Sequence, residues 1–66
     1  MNAREFLTET KNNMDFRLSV LEQAGTNIEY FYQLASGFRS PSWRLAKKLE
    51  KSSGGMMTAI ELMPDQ

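Results

Sequence analysis

An all-α domain of four to five short helices is what this 66-residue chain predicts. Three observations carry that expectation. Apolar residues recur at i, i+3 and i+4, which puts them on one side of a helix. Glycines stand at 25, 37 and 54–55, where those stripes stop, and glycine tolerates the left-handed backbone that ends a helix. Polar residues suited to capping precede the stripes, among them Asn2, Asn27, Ser40 and Thr58.

Residues 1–12 read as the first helix, with Asn2 as N-cap and Glu5 completing a capping box. Phe6 and Leu7, supported by Ala3 and Thr10, form its buried side, and its expected role is to pack across the second helix. Asn12-Asn13 breaks the chain, and Asn13 or Asp15 caps the next helix. That second helix begins at about Phe16 and carries Val20, Leu21 and Ala24 as an apolar strip, with Gly25 directly after.

Asn27 caps a third helix whose inward face is Phe31, Leu34 and Ala35. Glu29, Tyr32, Gln33 and Ser36 occupy the opposite arc, Ile28 and Tyr30 the borders, and Gly37 closes the helix. A fourth helix runs from Pro41 to about Ser53, with Ser40 as N-cap and Pro41 in the first position. Its inward stripe is Ser42, Leu45, Ala46 and Leu49. After Gly54-Gly55, Thr58 and Glu61 form a second capping-box pattern over a very short helix, which Pro64 stops. So short a tail must fold back on the domain or pair with a second copy.

Sixty-six residues make one domain. Its core is small enough to gain from further burial in a dimer. Without cysteine there is no disulfide frame or thiolate metal site, and without histidine the commonest general base and metal ligand are missing. Eight scattered carboxylates then give no recognisable catalytic site, so no enzyme, cofactor or small-molecule substrate is expected. No apolar run reaches membrane-spanning length and no signal segment is evident. A cytoplasmic chain without membrane contact is the expectation.

The formal net charge is zero, but it is unevenly spread. Residues 1–36 hold three cations against five anions, net −2, and residues 37–66 hold five against three, net +2. The positive charge is concentrated between Arg39 and Lys51, directly after the third helix.

Residues 16–37 read helix, sharp turn, helix with a polar outer face, the grammar of a helix-turn-helix. Periodicity alone would equally suit a plain helical hairpin with a solvated outer face. The stretch resembles the helix-turn-helix of Cro and CI-type (lambda-repressor-like) phage regulators, spacing for spacing. Val20 and Leu21 take the Leu-Ala places, Gly25 the turn glycine, Asn27 the capping serine, Phe31 the inward valine, Leu34 the next buried position and Gly37 the closing glycine. Leu21 stands where that family prefers alanine and Thr26 where it prefers a buried valine, two departures that widen the expected angle between the helices. Residues 40–65 are similar to the C-terminal pattern of YdaS-like, Cro-type prophage regulators: Pro41-Ser42, Gly54-Gly55, then Thr58, Glu61, Leu62, Pro64 and Asp65.

The resemblance implies a compact lambda-repressor-like domain spanning residues 1–66, binding double-stranded operator DNA as a homodimer. The helix over 27–36 would lie in the major groove. Ile28, Glu29, Tyr32 and Gln33 are then the base-reading candidates. Gln33 suits adenine, Glu29 the cytosine amino group, and Ile28 and the Tyr32 ring a thymine methyl. Arg17, Asn27, Arg39, Ser40 and Arg44 are the phosphate candidates, and Met56, Met57, Ile60 and Met63 the dimer surface. Competing structural roles exist. Glu29 favours the helix dipole unaided, the tyrosines can pack or join a protein interface, and Arg17 can be solvated or locally paired. Ser40 can cap a helix, Trp43 can be core or interface, and the lysines after Arg44 can be a solvated side. A protein-interaction module on the same scaffold, of antirepressor or antitoxin type, is the alternative function.

Overall fold

A computed structural model describes residues 1–63. Among them it forms five helices and no strand: α1 (Ala3–Glu9), α2 (Met14–Gln23), α3 (Ile28–Ser36), α4 (Trp43–Ser52) and α5 (Ala59–Leu62). The all-α class holds. Pro64 and Asp65, given roles at the end of the tail, lie outside the described residues.

Local chemistry sets most boundaries. Asn2 Oδ1 accepts from the Glu5 N–H (2.8 Å) and Glu5 Oε1 from the Asn2 N–H (2.9 Å), a complete capping box. α1 stops at Glu9, short of the expected 12, as Thr10 leaves helical geometry and turns its hydroxyl back to the Phe6 carbonyl (2.7 Å). Asn13 caps α2, so this helix starts at Met14, two residues before the expected Phe16. Gly25, at φ 79°, and Gly37, at φ 84°, end α2 and α3 in the left-handed region, where a side chain is strained.

The fourth helix starts differently from the sequence expectation. Ser42, not Ser40, is the N-cap, its hydroxyl accepting from the Leu45 N–H (3.1 Å). Pro41 is buried just outside the helix, and Ser42 is exposed rather than inward-facing. Both serines flank the proline. With Pro41 packed into the interior outside the helix, the cap falls to Ser42.

Phe6, Val20, Leu21, Phe31, Leu49 and Met57 are wholly buried. Phe6 meets Phe31 edge-on, ring centroids 5.7 Å apart and 75° inclined, a favourable aromatic geometry. The first helix packs chiefly on α3 rather than across α2. It reaches α2 through the Phe6–Phe16 ring pair (6.2 Å) and through Arg17. α4 packs on α2 and α5.

Met57 was expected on a dimer surface, but it is 0% exposed. Gly54 and Gly55, both left-handed, double the chain back. Ser53 Oγ then accepts the Met57 N–H (3.1 Å) and Glu50 Oε1 the Ala59 N–H (3.2 Å), pinning α5 to α4.

The tail is also held at its outer edge. The Met1 ammonium donates to the Met56 carbonyl (2.6 Å) and to Glu61 Oε1 (2.7 Å). Glu61 therefore does not complete the second capping box; its carboxylate takes the ammonium and the Thr58 hydroxyl (2.8 Å) instead. The ammonium first, then the Thr58 hydroxyl, hold the Glu61 carboxyl below the usual carboxylate range.

A carboxyl pKa lowered on folding stabilises the fold above the ordinary range and ceases to as pH falls through the folded value. Below about pH 4, amide exchange across α5 should therefore accelerate before the rest of the chain opens. Glu61→Gln should exchange faster at neutral pH and lose that acid step. An acid step unchanged in the variant would remove Glu61 as its cause.

Candidate nucleic-acid interface

The outer arc of α3 is open. It begins at Asn27, whose Oδ1 accepts from the Tyr30 N–H (2.8 Å) and so commits the amide oxygen to the helix start. Glu29 is exposed and Tyr32 is 46% exposed, while Ile28 and Gln33 are half-buried. Ile28 packs on the core edge, so only part of it faces outward. Of the four base-reading candidates, Glu29 and Tyr32 are the most accessible.

Past Gly37 the chain wraps the end of α3. The Gln33 carbonyl accepts from the N–H groups of Phe38 (3.0 Å) and Arg39 (3.2 Å). The Arg39 side chain then returns to the same residue, Nε donating to Gln33 Oε1. Its guanidinium lies 5.9 Å from the Tyr30 ring centroid, a cation–π distance. Arg39 is thus fixed at three points beside the helix, with Nη groups left over. Ser40 is exposed in the same loop.

Arg17 is placed otherwise than expected. It is 5% exposed and does not reach out from the first turn of α2. Nε donates to Thr10 Oγ1 (2.9 Å), Nη2 to the Leu7 carbonyl (2.6 Å) and Nη1 to Tyr32 Oη (3.5 Å). The last carbonyls of a helix lack backbone partners and carry partial negative charge, and α1 has no basic residue in its own last turn. Arg17 supplies that charge from the neighbouring helix. A buried cation is costly when its N–H groups go unmet. Here neutral oxygens meet them, which is why the charge is tolerated inside.

Arg44 is exposed near the start of α4 and lines an open groove with Lys47, Lys48 and Lys51. No residue of α3 lines that groove. Lys47 pairs with Glu50 (3.5 Å) and lies over the Trp43 ring (5.6 Å). The positive charge of residues 39–51 therefore divides between Arg39 beside α3 and a basic side of α4.

Family models, curated proteins and solved structures offer no match to this chain.

Exposed apolar side chains border both regions. Phe38 is largely exposed beside Arg39, at the rim of the α3 face. Trp43, 53% exposed, and Ile60, 79% exposed, line one groove between α4 and α5. Met56 and Met63 are half-buried against the core, so of the expected dimer set Ile60 alone is freely exposed. Exposure depends on how α5 folds back, which no local spacing encodes.

Because Arg17 is interior, its replacement should act on stability. Arg17→Met leaves Leu7 and Thr10 oxygens without their donor. An unfolding-energy loss of about 2–4 kcal/mol is expected in urea titration. A change within about 0.5 kcal/mol, the usual surface range, would contradict the interior placement.

Proposed function

We propose that this chain is a Cro-like transcriptional regulator of phage or prophage type, a cytoplasmic protein that binds double-stranded operator DNA without catalysis. Its third helix enters the major groove, and occupancy of the operator blocks or redirects polymerase. What supports this reading is the open outer arc of α3, capped by Asn27, closed by Gly37 and bordered by the fixed Arg39. The fold leaves that arc uncovered while burying the opposite one, Phe31 and Leu34, in the core. Arg39, Ser40 and Arg44 are the phosphate contacts, with the Asn27 amide group at the helix start. Arg17 serves the fold and leaves the phosphate set.

The active form is a homodimer reading two half-sites about one helical turn, roughly 34–36 Å, or a multiple apart. Ile60, joined by Trp43, replaces the methionines as the centre of the pairing surface. These two large apolar side chains border a groove that also carries Lys47 and Glu50, of opposite charge. A twofold pairing brings one patch against its own copy, and with both signs present a pairing of opposite charges is available across it.

A second reading has an observation of its own. Tyr32 and Phe38 are exposed on or beside the α3 face, where Glu29 opposes Arg39 in charge. A mixed aromatic face of this kind suits a protein partner, as in an antirepressor or antitoxin-like module.

Fluorescence anisotropy on duplexes from the DNA flanking the gene, with salt titrated, separates the two. Arg44→Gln should weaken binding on every sequence and lower the slope of log K against log salt by about one unit. Equal, salt-independent affinity for random and flanking duplexes would favour the protein-partner reading.

For the dimer, Ile60→Glu should shift sedimentation equilibrium toward monomer while unfolding energy stays within about 0.5 kcal/mol. An unchanged dimer would place the pairing surface elsewhere.

A further inference from the structure

The atoms that α3 turns outward are those the fold has left free. Arginine carries donors only, so the Gln33 atom that meets Arg39 Nε is the amide oxygen. Gln33 then has its two N–H donors free, while its acceptor is engaged by Arg39 at the surface. Tyr32 Oη is likewise approached by an Arg17 N–H, so the phenolic proton points away from Arg17. The Asn27 oxygen is held by the Tyr30 N–H, which leaves its N–H donors. The Arg39 Nη groups add more donors.

We propose that Arg39 is a specificity-positioning residue, which sets Gln33 to read guanine rather than adenine. This rests on α3 being the recognition helix. A free glutamine reads adenine by accepting from the N6 amino group and donating to N7. Arg39 takes one of the two lone pairs of that oxygen, and an adenine amino group approaching the other would come against the guanidinium, donor beside donor. Guanine presents two acceptors on its major-groove edge, O6 and N7. Those match a glutamine N–H group set beside an arginine Nη.

The link is built to persist. The left-handed turn at Gly37 brings Arg39 back alongside Gln33. Its main-chain N–H is bonded to the Gln33 carbonyl (3.2 Å), and Tyr30 flanks its guanidinium. Arg39 has no carboxylate in salt-bridge range among the described residues, so none of those competes with Gln33 for it.

Selection from a randomised duplex pool tests this, using the full chain as wild type, Gln33→Ala, Arg39→Met and Arg39→Ala. All three substitutions are at exposed or half-exposed positions, and matching melting curves show that each variant is folded. Gln33→Ala should abolish preference at one base pair per half-site, which locates the pair read by Gln33. At that pair the wild type should favour guanine over adenine about tenfold. Both Arg39 variants, with the amide oxygen released, should move the choice there to adenine and leave the preference at other positions alone, while a lost phosphate contact weakens binding to every sequence alike.

Adenine in the wild type at that pair overturns the proposal, as does guanine retained by the Arg39 variants. So does enrichment in which no pair responds to Gln33→Ala. If the wild type enriches no sequence at all, the operator-binding reading itself falls, and this inference with it.

Discussion

One guanidinium ties three helices together. Arg17, on α2, accounts for the C-terminal end of α1 through Leu7 and Thr10, and it touches α3 at Tyr32. The need behind it is general: a helix end buried against its neighbours must find donors for its last carbonyls. α1 is seven residues long and has no cation in its last turn. Without a donor from outside, burying Phe6 at the centre of the core would leave the carbonyl of Leu7, in the turn after it, unsatisfied. The aromatic cluster and the setting of α1 on α3 depend on this polar contact beneath them.

Charge and apolar surface are divided by helix. The α3 side carries a few well-held polar groups with Arg39 at its edge, and α4 carries Arg44 and three lysines. Trp43 and Ile60 form a third surface between α4 and α5. In a chain of zero formal charge, such partition lets one side approach a polyanion while another meets a protein. A total charge says nothing about either.

Much of the fold was legible because it is encoded locally. Asn2 with Glu5, Asn27, Gly25 and Gly37 act within one turn of their own positions, and each stands where its pattern placed it. Ser40 and Ser42 were not separable by pattern, since both flank Pro41 and only packing selects between them. Arg17 lay on the apolar side of its helix, and its burial hinged on partners seven and ten residues upstream. Met57 was expected at the surface with Ile60 and is buried instead, because the segment from Met57 through the four-residue α5 has too little periodicity to reveal which side is inward. On the α3 face the open arc was readable from Phe31 and Leu34 opposite. The grip of Arg39 on Gln33 spans a turn that no helical wheel represents.

That grip also defines what would have to move with the helix if it were transplanted. Residues 28–36 alone, set into another scaffold, would keep their side chains and lose the hand that orients one of them. The portable unit is longer: it runs through Gly37 to Arg39, and its chemistry is a property of the helix and its exit loop together.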